Sequence, residues 1–96
     1  MASKELASLL REVRESKGVS LRGAAKELEV DASYLSRVER GDKSASSRVL
    51  DRAARYYELP RERLEFAAGD LPADIVEILR THPEIVERLR KTYGSS

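Results

Sequence analysis

The chain has 96 residues, enough for one domain with a modest core and little stability to spare. Apolar residues make up 41% and aromatics 5%, with one Phe and no Trp, so the core must be built from Leu, Val, Ile and Ala, and the scarcity of Gly and Pro favours helices. A formal net charge of +1 does not by itself point to nucleic acid, and the lack of cysteine excludes disulfides, thiolate metal sites and cysteine nucleophiles.

No apolar run approaches a membrane span and no signal-peptide core is present, so a cytoplasmic location without membrane contact is expected. Charge is uneven along the chain. Between residues 37 and 55 six basic side chains (Arg37, Arg40, Lys43, Arg48, Arg52, Arg55) face three acidic ones. A local basic patch can therefore form on a nearly neutral protein, although an ordinary solvated face has the same composition.

The first helix is predicted from Lys4 to Lys17, capped by Ser3, with Leu6, Leu9, Leu10 and Val13 as its buried stripe and Gly18 as its stop. Val19 can staple the next helix, which Ser20 caps and whose inward face is Leu21, Ala24, Ala25 and Leu28. Gly23 inside that helix suggests a close helix crossing. After the break at Glu29-Val30, Asp31 is expected to cap a third helix running to Arg40 and closed by Gly41. Only Tyr34, Leu35 and Val38 are expected to be buried in it. Ala32, Ser33, Ser36, Arg37 and Arg40 are left outside, small or hydrogen-bonding, with a basic end.

A polar loop follows, and Ser46 is expected to cap a fourth helix that turns Val49, Leu50, Ala53, Ala54 and Tyr57 inward. A short fifth helix from Pro60 to Ala67 is expected to dock through Leu64 and Phe66. Ala67-Ala68-Gly69-Asp70 reads as a boundary. Beyond it two amphipathic helices are predicted, Pro72 to Arg80 and Pro83 to Tyr93, with Thr81 and Glu84 placed as a capping box and Gly94-Ser95-Ser96 as a disordered end.

The run Tyr34-Leu35-Ser36-Arg37-Val38-Glu39-Arg40-Gly41, together with Arg14, Gly18, Ser20, Ala25 and Val30 in one register, resembles the helix-turn-helix of the Cro and lambda-repressor type, or Xre family. The resemblance spans about Lys4 to Ala67. It implies an all-α fold, a five-helix lambda-repressor-like DNA-binding domain over residues 1–68; the two amphipathic helices beyond the boundary make a two-helix C-terminal extension over residues 69–96. Three positions depart from the family pattern. Leu21 stands where a phosphate-holding glutamine is common, Glu29 where glycine is common, and no proline lies near Ala45.

Such a resemblance implies a recognition helix in the major groove of double-stranded DNA, with its N-terminal part toward the base edges. Arg37 is the candidate reader of a base, a guanine through O6 and N7. Ser33 and Ser36 can donate or accept, and Ala32 can meet a thymine methyl. Ser20, Arg22, Arg40 and Lys43 are candidates for phosphate contacts. Tyr34 has two readings, half-buried packing and a contact to the DNA backbone, and is kept among the phosphate candidates. The family pattern also pairs Arg14 with Glu39 in a buried salt bridge.

His82 is the only histidine, and neither a metal site nor a cofactor site nor a catalytic constellation can be assembled around it. An enzyme is not expected. The two C-terminal helices either cap the core or bury their stripes against a second copy. The dimer reading assigns Ile75, Ile78, Leu79, Ile85, Val86, Leu89 and Tyr93 to the interface. The expected function is a transcriptional repressor bound to an inverted-repeat operator as a homodimer. The alternative is an antitoxin or adaptor-like protein whose C-terminal helices hold a toxin or other protein partner, with DNA binding for autoregulation.

Overall fold

Three serines set where the chain turns helical. Ser3, Ser20 and Ser46 each hold extended backbone, and their hydroxyl oxygens accept from the N–H groups of Leu6, Gly23 and Val49, donors that the first helical turn leaves unpaired. The computed structural model describes residues 3–94; the expectation for Ser95 and Ser96 lies outside the described residues. The helices are α1 (Lys4–Ser16), α2 (Leu21–Leu28), α3 (Ala32–Glu39), α4 (Ser47–Tyr56), α5 (Arg61–Ala67), α6 (Ala73–Thr81) and α7 (Pro83–Tyr93), with no strand among the described residues.

Asp31 differs from the serines. It occupies the cap position of α3, but its side chain makes no capping hydrogen bond. The exposed carboxylate acts there only as a charge near the positive helix end.

The first five helices all terminate in one way. A residue in the left-handed region follows each of them, Gly18, Glu29, Gly41, Glu58 and Gly69 in turn. Behind it the chain closes six-to-one: Val19 N–H to Arg14, Val30 to Ala25, Asp42 to Arg37, Leu59 to Ala54 and Asp70 to Glu65, at 2.8–3.2 Å. Glycine adopts this conformation without cost, and at Gly41 that φ of +80° is the reason for glycine, since a Cβ there would meet α1 only at ordinary contact distance. Gly23 has a different reason from the one its sequence position suggests. A Cβ on it would meet Ser20 Oγ at 3.1 Å and Val19 Cγ1 at 3.5 Å, so it makes room for its own cap and not for a crossing helix.

Leu6, Leu10, Ala24, Ala25, Leu28, Leu35, Val38, Leu50, Ala53, Ala54, Tyr57 and Leu64 form one continuous core across α1–α5. Each large side chain fully removed from water there contributes roughly 1.5–3 kcal/mol before entropy is counted. Leu9, Val13 and Leu21 pack against its edge. Phe66 does not dock: it is 47% exposed, while Leu64 is fully buried. Two residues along a helix are separated by roughly 200°, so Leu64 and Phe66 cannot share a face.

Helices α6 and α7 pack on each other and make no extensive contact with α1–α5. No residue of either is buried. The molecule is 46 Å long, with a radius of gyration of 15.5 Å against about 13 Å for a compact domain of this size. The capping box expected at Thr81 is not formed. Thr81 is the last residue of α6, and its hydroxyl turns back to the carbonyl oxygens of Glu77 and Ile78 at 2.9 and 3.3 Å. His82 therefore takes the cap position of α7, without a side-chain capping bond.

Candidate nucleic-acid interface

The break between α2 and α3 depends on Glu29, a non-glycine residue at φ +57°. That conformation costs an L-residue about 1 kcal/mol. Arg52 of α4 offsets it: one guanidinium nitrogen pairs with the Glu29 carboxylate at 3.1 Å and another donates to the carbonyl of Leu28 at 3.3 Å. Arg52 thus closes the open end of α2 and ties the turn to α4. By sequence Arg52 belongs only to the basic patch, because nothing local links it to a residue so far upstream.

Arg14 and Glu39 lie across α1 and the last turn of α3. Arg14 Nε donates to both carboxylate oxygens, at 2.9 and 3.1 Å, and Nη1 donates to the carbonyl of Val19 at 2.9 Å. Glu39 is 4% exposed, so it is closed to any ligand. The hydrogen bond that Arg14 donates to Glu39 raises the Arg14 pKa above its ordinary value, outweighing the opposite effect of burial. The pair fixes the C-terminal end of α3 against α1. Beside it, burial first and the Glu39 charge second push the Tyr57 phenol up to about 12.

With Leu35, Val38 and Glu39 turned inward, the other side of α3 faces solvent. Ser33, Arg37 and Arg40 are exposed, Ser36 is half-buried, and Ala32 is half-buried against the core. Arg37 forms no ion pair or side-chain hydrogen bond among the described residues. Arg40 meets only Asp42, at 3.7 Å and well exposed, an ion pair of little energetic weight. Arg22 at the start of α2 and Lys43 after α3 are exposed, and neither is ion-paired among the described residues. Ser20 accepts the Gly23 N–H at 3.0 Å and keeps its own hydroxyl proton free to donate.

Tyr34 is placed differently from these groups. Its ring packs against the core edge, and its hydroxyl donates to the Ser44 carbonyl at 3.1 Å and accepts the Ser46 N–H at 3.2 Å. Leu21 is half-buried at the same edge and offers no polar contact.

The C-terminal candidates divide in two. Leu79, Ile85 and Val86 are half-buried where α6 meets α7, while Ile75, Ile78, Leu89 and Tyr93 are exposed. Leu71 and Val76, which the helical spacing had not singled out, are exposed beside them. Among the described residues no cluster of His, Asp and Glu could hold a metal ion, and no helix is long and apolar enough to cross a membrane.

Comparison with known proteins bears on the family and the fold. A family model described as a helix-turn-helix domain matches residues 5–67. No curated protein sequence matches the chain. Among solved structures, the restriction-modification controller protein C.AhdI from Aeromonas hydrophila is 30% identical over 64% of this chain and 92% of its own, with a TM-score of 0.60. The clp gene regulator ClgR from Corynebacterium glutamicum is 26% identical over 96% of this chain and 94% of its own, with a TM-score of 0.61. SinR, a master regulator for biofilm formation solved in complex with DNA, is 27% identical over 62% of this chain and 95% of its own, with a TM-score of 0.57.

Proposed function

Because this chain belongs to the helix-turn-helix domain family, in its Cro and lambda-repressor type, and is a DNA-binding transcription regulator and not an enzyme, we propose that it is a repressor that binds an inverted-repeat operator as a homodimer. One observation carries the reading of the site. The outer side of α3 presents Arg37 without an ion pair among the described residues, one turn on from Ser33 and next to Ser36, while its inner side is locked by Leu35, Val38 and the Arg14–Glu39 pair. An exposed guanidinium on a rigid helix, with no internal partner to leave, suits bidentate contact with guanine O6 and N7. Ala32, Ser33 and Ser36 complete the base-reading side, with Ser20, Arg22, Arg40 and Lys43 on phosphates to either side of it.

The second copy joins through α6 and α7, whose exposed Ile75, Ile78, Leu89 and Tyr93 are apolar surface that one chain leaves in water. The near-neutral charge supports the same arrangement, since one weakly basic head gains little from phosphate attraction alone. Two heads on one duplex restore the affinity, with half-sites about 34–36 Å apart or a multiple of that. The structural match to the clp gene regulator ClgR runs along 96% of this chain, so it is not confined to the head. The same apolar surface supports a second reading, an antitoxin or adaptor-like protein whose α6 and α7 hold a different protein; co-purification of a stoichiometric partner separates the two.

Selection of bound duplexes from a random pool, followed by sequencing, tests the proposal. It should return two inverted half-sites at fixed spacing. Arg37→Ala should then weaken binding to the selected site by about 1–3 kcal/mol and relax the preference at one base pair per half-site. A loss equal on all sequences would assign Arg37 to the phosphates instead.

A further inference from the structure

We propose that Tyr34 serves DNA binding as a positioning residue: its hydroxyl holds the loop of residues 42–46 so that Lys43 lies on the phosphate backbone beside α3. The inference rests on the reading of Lys43 as a phosphate contact and deepens it. Three observations converge. The Tyr34 hydroxyl already has both a donor bond, to the Ser44 carbonyl, and an acceptor bond, from the Ser46 N–H, so it is not a free phosphate ligand. Those two bonds span a loop whose other end is fixed by Asp42 N–H on the Arg37 carbonyl at 2.9 Å. Lys43 is therefore the exposed residue between two anchored points, both on α3, the helix that carries Arg37.

The same hydroxyl also fixes the start of α4. Ser46, whose N–H it accepts, caps that helix through the Val49 N–H at 3.2 Å. One tyrosine thus sets the loop and the following helix in register with the reading side of α3. A lysine has a long flexible stem, and an anchored backbone on both sides reduces the number of conformations it must give up when it meets a phosphate. Tyr34→Phe removes only the two hydrogen bonds and keeps the ring in its packing.

The experiment uses the full chain, a duplex recovered by selection and a scrambled duplex, each titrated over a range of salt concentrations. Tyr34→Phe is expected to weaken binding to both duplexes by a similar factor, about threefold to tenfold. It is expected to lower the slope of log affinity against log salt toward the value of Lys43→Ala, a change of up to about 0.9 for one phosphate contact. The double variant should bind no more weakly than Lys43→Ala alone. Additive losses with an unchanged slope for Tyr34→Phe would instead mean a direct, neutral contact to DNA and would overturn the proposal, as would wild-type binding by Tyr34→Phe. If Lys43→Ala leaves affinity and slope unaltered while the chain still selects a duplex, the positioning role fails and the DNA-binding reading stands. Absence of any salt-dependent duplex binding by the unaltered chain would overturn both.

Discussion

Helices α1–α5 and helices α6–α7 are built from the same kind of sequence, short amphipathic stripes, yet they reach opposite outcomes. Each of the first five ends in a left-handed residue with a six-to-one closure, and three of them begin with a serine that caps an N–H. Their stripes meet in one core where Leu28, Leu64, Ala24 and Ala53 are fully buried. Neither α6 nor α7 has a side-chain cap at its start or a left-handed residue at its end, and Tyr93 is 81% exposed. A stripe at helical spacing identifies a face but says nothing of what covers it. Helices of nine and eleven residues are marginal alone in water, and this pair, with no buried residue, is the part of the chain that the proposed second copy would cover.

The largest effect expected from this contrast follows from removing the tail. Truncation after Asp70 keeps the six-to-one closure of α5 on Glu65 and leaves the core intact. The truncated chain should therefore keep its unfolding free energy within about 0.5 kcal/mol. Its solution mass should be that of a monomer, and its affinity for the selected duplex should fall by roughly 10²–10⁴, the usual gain from linking two binding heads. Sedimentation and duplex titration read both. A truncated chain that remains dimeric would move the interface to the head, where the exposed Phe66 is the first place to look.

The head should fail in the opposite way. Glu39→Ala leaves the Arg14 guanidinium almost buried without its carboxylate, which costs roughly 3–5 kcal/mol. For a chain of this length the midpoint of thermal unfolding should drop by at least about 12 °C. Duplex selectivity of the fraction that stays folded should not change, since Glu39 faces α1 and not solvent. A variant with an unaltered melting temperature would show that the head does not depend on this pair.

How far each part was legible in the chain follows from the range of the interactions. The stripe Val49, Leu50, Ala53, Ala54 and Tyr57 covers more than two turns, so its period alone identifies the buried side. In α5 the helical period itself decides: Leu64 and Phe66 are two positions apart and point to different sides, so docking through both asked one face to hold residues that the helix separates. Thr81 could cap the helix after it or bond back to the helix before it; both are local, and composition does not choose between them. Arg52 with Glu29, on either side of α3 in the chain, and Tyr34 with Ser44 and Ser46, across the loop after α3, are contacts that have no period at all. That Ser33, Arg37 and Arg40 are exposed was legible because burial had already claimed the other side of α3.

The smallest expected effect comes from a flaw inside the head. Tyr57 is 2% exposed, and its hydroxyl oxygen has no hydrogen-bond partner among the described residues. Burial, aided by the Glu39 charge, pushes the phenol from 10.0 up to about 12. Below pH 10 both folded and unfolded chains keep this proton, and stability is unaffected by it. Between pH 10 and about 12 the unfolded chain loses the proton first, so stability falls as pH rises, by about 2–3 kcal/mol in all. Tyr57→Phe removes that proton and the unpaired oxygen together. Urea unfolding of the variant should show equal or greater stability at pH 7 and a shallower decline above pH 10. A loss of more than about 1 kcal/mol at pH 7 would mean that the hydroxyl is satisfied after all, the net contribution expected of one hydrogen bond. In that case the interior of the head would have no unpaired polar group at Tyr57, and its contrast with the uncovered tail would be sharper still.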